Sequence, residues 1–306
     1  MSDAQLPNWF IAKYNAEVAL RAQQRERRLA GAVTSGGTFM GDYVYFPRIG
    51  SVEMYDSHRM AQLALANASQ DWINFHCKPK FAAFGVWDPD KNKLSIQAAS
   101  EYARVLMAAA NRAEDKLIVD QLNNAAINGV QGVDANNANI GAVDNITTLG
   151  DYNTVVDLDL LSTAIAQLGT NEMFEGEELT WVTPFKVKVQ TGLDPYKVFS
   201  NVNNDDLPWN QLSHRTYERL YDNNGTPAVP ATSTGVDTYL FARSAVVSDY
   251  NNEMTEINER WGIALTDVMG KWFQAGAGVR EPKGVIRIKS KYNFNIARTG
   301  MPFHNV

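Results

Sequence analysis

Apolar residues recur every three or four positions between residues 94 and 128, with Leu94, Ala98, Tyr102, Val105, Ala109, Ala113 and Leu117 on one stripe behind Asp88-Pro89-Asp90. That period predicts an α-helix, and at 1.5 Å per residue it would run about 50 Å, several times the ordinary globular length. The stripe is rich in alanine and has no branched a and d heptad positions, which favours close packing on a sheet over a coiled coil. A helix is also predicted over residues 7–30. There Pro7 suits a first turn, Phe10, Tyr14, Val18 and Leu29 lie near one stripe, and Arg21, Arg25, Arg27 and Arg28 cluster towards an end closed by Gly31.

Between these helices the period falls to two. From Thr38 to Pro47, Phe39, Tyr43 and Tyr45 alternate with Met40, Val44 and Phe46, which predicts a strand apolar on both faces. Residues 72–81 form a second extended run with Ile73, Phe75 and Cys77 on one face, and the MAQLALA portion of residues 50–71 suits a short helix. Residues 38–81 thus read as a long two-stranded excursion with a tip. Two strands alone are marginal in water, so the arm is expected to lie on a neighbour.

Beyond the long helix, residues 123–153 are crowded with Asn, Gly and Ala and predict a loop or turn series. Residues 154–168 predict a short helix with Leu158, Leu161, Ile165 and Leu168 inward, followed by a buried strand at 179–183 stopped by Pro184. Turn-rich stretches at 201–206 and 222–234 precede a strand at 239–247, a helix near 258–273 and a final strand at 284–291. No internal repeat and no clean linker interrupt this order.

A hydrophobic share of 45% with 20% charged residues describes a folded chain. At 306 residues it buries roughly three quarters of its unfolded surface. No run of 18 apolar residues occurs, and MSDAQLPNWF lacks the basic-then-apolar layout of a secretory signal. The expectation is a chain that stays where it is made, with no membrane partner and with its sequons at Asn67, Asn145 and Asn224 unused. One cysteine, Cys77, excludes an intrachain disulfide, and a net charge of −6 disfavours avid nucleic-acid binding by the whole molecule.

Candidate chemistry is sparse. His76-Cys77 has no second cysteine, and His58, His214 and His304 are scattered without ligand spacing, so a packed pair is the simpler reading. Residues 134–145 depart from a calcium loop at Ala138, Asn139 and Asn145. The carboxylate pairs Asp88/Asp90, Asp157/Asp159, Glu177/Glu178 and Asp205/Asp206 are read as caps and solvated turns. Gly276-Ala277-Gly278 lacks the third glycine of a dinucleotide fingerprint. The expectation is no catalytic residue, no metal and no cofactor. Two basic clusters remain: Arg21, Arg25, Arg27 and Arg28 in the arm, and Lys283, Arg287, Lys289 and Lys291 near the end. A solvated face is the simpler account of each.

The segments WFIAKYNAEVALRAQQRERRLAG, WDPDKNKLSIQAASEYARVLMAAANRAEDKLIVDQL, ELTWVTPF and GAGVREPKGVIRIKS, taken in this order, make the chain resemble the tailed-bacteriophage major capsid proteins of the Hong Kong 97 type. The resemblance implies an α+β fold with an N-terminal arm at residues 1–35 and an extended hairpin, the E-loop, at 36–87. A P-domain with a spine helix would follow at 88–150, an A-domain at 151–280, and a C-terminal strand returning to the P-domain at 281–306. It implies a non-enzymatic subunit that assembles with itself as pentamers and hexamers into an icosahedral virion capsid around double-stranded DNA, formed in the host cytoplasm. Each E-loop would lie across a neighbour, with Phe39, Tyr43, Tyr45 and Phe46 as aromatic anchors. Arg21, Arg25, Arg27 and Arg28 would face inward to a scaffolding protein or to DNA by weak contact. Portal, scaffolding and decoration proteins are the further partners implied. Some members crosslink an E-loop lysine to a neighbour's asparagine; residues 38–77 contain no lysine, so no such crosslink is expected. An encapsulin-like nanocompartment shell shares the fold and differs in cargo. A soluble carbohydrate-binding or hydrolytic enzyme is the alternative from another class.

Overall fold

The computed structural model describes residues 26–35, 43–49, 70–87, 97–133, 139–173, 177–192, 212–222, 224–228, 233–251, 259–260 and 266–292. In chain order these form β1 (Tyr43–Ile49), β2 (Gln70–His76), β3 (Lys78–Trp87), α1 (Gln97–Asn128), β4 (Val130–Val133), β5 (Asn139–Asp144) and β6 (Thr147–Gly150). Then come α2 (Leu158–Thr170), β7 (Leu179–Thr183), α3 (Phe185–Gly192), β8 (Leu212–Thr216), β9 (Gly235–Ala242), β10 (Val246–Asn251), β11 (Glu259–Arg260), β12 (Thr266–Val279) and β13 (Val285–Lys291).

The long helix is present as α1, 32 residues of it, ending where Gly129 turns left-handed with φ 72° and donates its N–H to the Ala125 carbonyl. Its expected stripe is displaced. Val105, Ala109, Ala113 and Leu117 are only half-buried, while Leu106, Ala110, Ile118, Val119, Leu122 and Ala125 are buried. The cause is cover on two sides. Ala110 belongs to a small cluster with Phe273 and Ala275 of β12, whereas Ile118, Val119, Leu122 and Ala125 enter the main core.

That main core covers both faces of the five-stranded sheet β6-β13-β9-β7-β8, which contributes Trp181, Ile286 and Ile288 on one face and Tyr239 and Phe241 on the other. From α2 come Leu161, Ile165 and Leu168, as expected, and Asp157 caps that helix by accepting the Leu160 N–H at 2.8 Å. A second sheet, β1-β2-β4-β5, and a third, in which β12 pairs with β3, β10 and β11, complete the described residues.

Several expectations need correction. The segment near 258–273 is not a helix in its described part: β12 is a 14-residue strand, antiparallel to β3 over ten positions from Thr266↔Trp87 to Ala275↔Lys78. Phe273, Ala275, Ala277 and Val279 on one face and Gly276 and Gly278 on the other are all buried, so this strand is covered on both sides. Residues 239–247 are two strands, β9 and β10, broken by a 3-10 turn at Arg243–Ala245. The loop expected at 123–153 holds the end of α1 and the strands β4, β5 and β6. Residues 72–81 split at Cys77, where the chain leaves one sheet for another. The first strand runs past Pro47 to Ile49. The arm helix does not continue through its described end, since residues 26–29 are bends or irregular and Ala30–Ala32 is a 3-10 turn.

Strand β13 sits between β6 and β9 inside the five-stranded sheet, while β12 runs beside β3 and α1. The hydrogen bonding therefore joins the C-terminal strand to residues 235–242 and detaches 266–279 from them, which differs from the division expected at residue 281. The MAQLALA helix, Phe39, Arg21, Arg25, Asp88/Asp90 and Asp205/Asp206 lie outside the described residues.

Candidate assembly surface

Strands β1 and β2 pair antiparallel from Tyr43↔His76 to Ile49↔Gln70, and alternation divides the expected aromatic anchors between two faces. Tyr43 and Tyr45 point outward, 49% and 41% exposed, with the Tyr43 ring stacked on His76 at 4.9 Å and 28°. Phe46 points the other way and packs against Phe75, 5.3 Å between centroids, at the edge of the main core. Phe46 is therefore committed to its own subunit.

The inward face of β2 rests on β12. Ile73, Phe75 and Cys77 are buried, and the glycines opposite explain how they fit. A Cβ on Gly276 would meet the Cys77 Sγ at 2.5 Å, and one on Gly278 would overlap the Phe75 ring. Gly276-Ala277-Gly278 is thus a seat for the hairpin, which the sequence alone did not suggest. Among the described residues the tyrosine face of the pair is left open. The expectation that this arm lacks cover of its own on both sides is corrected to one side.

The arm's basic cluster is anchored where it is described. Arg27 Nε donates to Glu114 Oε2 at 2.8 Å and to Asn111 Oδ1 at 3.3 Å, and Arg28 Nη1 donates to the Thr216 carbonyl at 2.8 Å. The fully buried Asp115 accepts the Arg28 N–H at 3.0 Å and the Leu29 N–H at 3.0 Å. Thr34 then bridges to β10, donating its N–H to the Val246 carbonyl and accepting the Ser248 N–H, both at 3.0 Å. Both Arg27 and Arg28 bind the subunit's own helix and sheet, so neither is a plain solvated charge.

The C-terminal basic cluster is likewise part structural. Arg287 Nη2 contacts the buried Asp237 Oδ2 at 2.5 Å, Tyr152 donates its hydroxyl to Asp237 Oδ1 at 2.8 Å, and Lys289 Nζ lies 5.3 Å from the Tyr152 ring centroid. Burial works against the charge on Arg287, but the hydrogen bond and charge of Asp237 outweigh it and raise its pKa. Burial, then the charge of Asp237 and its hydrogen bond, push the Tyr152 phenol up to about 12.

Nothing among the described residues converges on a reacting centre. Glu177 accepts from the Ser244 N–H and hydroxyl at 3.1 and 2.6 Å, and Glu178 meets Arg243 at the surface at 3.9 Å. The described residues contain no group of three or more His, Cys, Asp or Glu arranged to hold a metal. No helix among them is long and apolar enough to cross a membrane.

A family model described as phage capsid protein matches residues 6–190. No curated protein sequence matches. Among solved structures the chain is similar to the head structure of Helicobacter pylori bacteriophage KHP40, with TM-score 0.65, 9% identity and coverage of 95% of this chain and 96% of that one. It is also similar to the capsid of Cyanophage P-SCSP1u (TM-score 0.63, 14% identity, 91% and 92% covered). Mycobacterium phage Che8 gives TM-score 0.59 at 16% identity, with 92% and 98% covered. At such identities the likeness is one of fold, and it is the α+β Hong Kong 97-type capsid fold expected from the sequence.

Proposed function

From a chain that belongs to the phage capsid protein family, we propose a major head protein whose copies close as pentamers and hexamers into an icosahedral shell around double-stranded DNA. The observation that carries this beyond family membership is the β1–β2 pair, fixed to its own core on one face and presenting Tyr43 and Tyr45 to solvent on the other. Paired aromatic side chains on a rigid strand are the kind of residue that dominates interface energetics. Each subunit makes several interfaces of about 1,600 Å² in such a lattice, so modest contacts add up cooperatively.

Residues 36–87 act here as the E-loop that crosses a neighbour. The arm at 1–35, the P-domain around α1 with β3 and β12, and the A-domain around the five-stranded sheet make up the rest of the subunit. Arg21 and Arg25 are the arm charges proposed to meet a scaffolding protein or, weakly, DNA; Arg27 and Arg28 hold the arm in place. A portal protein, a scaffolding protein and a decoration protein are the proposed partners, assembly is in the host cytoplasm, and the role is structural with no cofactor.

Electron microscopy of the expressed chain, alone and with its scaffolding and portal proteins, tests the proposal. Closed shells with five- and six-fold clusters are expected. A small, monodisperse oligomer under every such condition would overturn it.

A further inference from the structure

Strand β1 is one of the two edge strands of its sheet, and residues 50–69 follow its end in the chain. Near that end stands Arg48. Its Nη2 lies 3.8 Å from Asp144 Oδ2 at the end of β5 and 3.6 Å from Glu281 Oε2 in the turn between β12 and β13. The side chain is only 18% exposed, so these charges are screened less than a surface pair would be.

The two partners belong to different parts of the molecule. Asp144 closes the sheet that contains β1 itself. Glu281 lies in the turn where the chain passes from the β12 sheet to the five-stranded sheet, and this turn is locked. The Arg280 and Glu281 N–H groups donate to the Ala245 carbonyl at 2.8 and 3.2 Å, and a Cβ on Gly284 would meet Ala245 Cβ at 2.6 Å. A single guanidinium therefore reaches from the outer strand of the hairpin to the rigid corner joining the other two sheets. Local sequence patterns hold no sign of this anchor, because both of its partners are remote from Arg48 along the chain.

We propose that Arg48 is a positioning residue for assembly: its bridge to Asp144 and Glu281 fixes the end of β1, and with it the aim of the β1–β2 pair, against the corner joining the other two sheets. This rests on the proposed role of the hairpin in assembly. Without the bridge, β1 keeps its hydrogen bonds to β2 and the Phe46–Phe75 contact, and β2 keeps its pairing with β4 at Trp72 and Ile73, so the sheet stays formed but the last residues of β1 loosen. Copies whose hairpins point in a spread of directions tile poorly, although each copy is folded.

The test has two arms that fail separately. In the unassembled chain, hydrogen exchange of the β1 amides is measured for the wild type, Arg48→Ala, Arg48→Glu, and Arg48→Glu combined with Glu281→Arg, with Arg243→Ala as an exposed ion-pair control. Exchange at residues 46–49 is expected to rise about tenfold, equivalent to about 1.4 kcal/mol of local opening, in Arg48→Ala and more in Arg48→Glu. The charge swap should restore most of it, and salt should accelerate exchange in the wild type but not in Arg48→Ala, a response that packing by the side-chain stem would not give. In the assembly arm, Arg48→Ala should give aberrant or fewer shells while the Arg243→Ala control matches the wild type. Unchanged β1 exchange, or normal shells from Arg48→Ala, overturns the positioning role. Should Arg48→Ala not fold, Arg48→Gln, which keeps most of the stem and loses the charge, carries both arms, with a rise in exchange expected and no change again overturning the role. Failure of the wild type itself to form shells would instead overturn the assembly role of the hairpin, and the exchange arm would still decide whether the bridge holds β1.

Discussion

Gly278 lies directly against the ring of Phe75, so close that a Cβ at position 278 would overlap that ring. Phe75 is itself buried and packed against Phe46, which restricts its movement. Gly278→Ala should therefore overpack the seat of the hairpin and cost about 1–3 kcal/mol. Gly169, in α2, has a helical backbone, and a Cβ there would find nothing within 4 Å, so Gly169→Ala should be neutral or stabilise by up to about 1 kcal/mol. Chemical denaturation of the two variants decides the matter, and equal midpoints would contradict the packing account.

Asp115 ties the start of the described arm to α1 through the Arg28 and Leu29 N–H groups. Truncation to alanine would leave buried donors unmet, at about 1–3 kcal/mol. Asp115→Ala should lower stability by that amount and open the chain to trypsin after Arg28, a bond that the wild type should protect; Asp115→Asn, which keeps one acceptor oxygen, should fall between. Fragment masses after limited digestion give the readout.

How much of this was legible in the sequence depended on the range of the interaction involved. Helix α1 was legible because its period persists for many turns, and β7 because Pro184 marks its end. Strand β12 was not: its described start carries no clean alternation, and what makes it a strand is ten positions of pairing with β3, far earlier in the chain. Tyr43 and Tyr45 were recognisable as aromatic candidates, and alternation separated them from Phe46. That Phe46 faces the core follows only from Phe75 and β12. The arginines at 27 and 28 looked solvated because Glu114 and the Thr216 carbonyl, which receive their guanidinium groups, are remote in the chain.

Stability should fall at both ends of the pH scale for identifiable reasons. Burial works against the charge on Asp222, but the N–H groups of Thr226 and Asn224 and the hydroxyls of Thr226 and Ser233 outweigh it and hold the carboxyl below its ordinary 3.8. Its contribution is present above that value and is lost as the pH falls towards the folded-state pKa. Tyr152 and Tyr217 are pushed the other way, to about 12, by burial first and then by the carboxylates Asp237 and Asp115 respectively. Their contribution is complete below pH 10 and is lost as the pH climbs through about 12. Unfolding free energies measured against pH should show Asp222→Asn flattening the acid limb and Tyr152→Phe flattening the alkaline one.

Mature particles should dissociate into a single monomer band under denaturing conditions. Residues 38–77 contain no lysine, and Lys78 and Lys80 stand in β3, hydrogen-bonded against β12. An amide crosslink from the hairpin to a neighbour has no amine to start from there. Denaturing electrophoresis after heating checks this, and a covalent ladder would refute it.

Tyr45 and Phe46, neighbours on opposite faces of β1, should separate assembly from folding. Tyr45 is 41% exposed on the open face of β1, so Tyr45→Ala removes little buried area from the isolated subunit and should change its stability by less than about 1 kcal/mol. Phe46→Ala, one residue on, should cost about 3 kcal/mol or somewhat less for its partial burial, because it empties space beside Phe75. If the tyrosine face is what neighbours grip, the order reverses in assembly: a truncated anchor at an interface typically costs about 2 kcal/mol or more, roughly thirtyfold in association at each contact and multiplied over the lattice. Thermal unfolding of unassembled chains and shell yield by sedimentation, run on both variants, give the comparison. Wild-type yield from Tyr45→Ala would remove the tyrosine face from the interface.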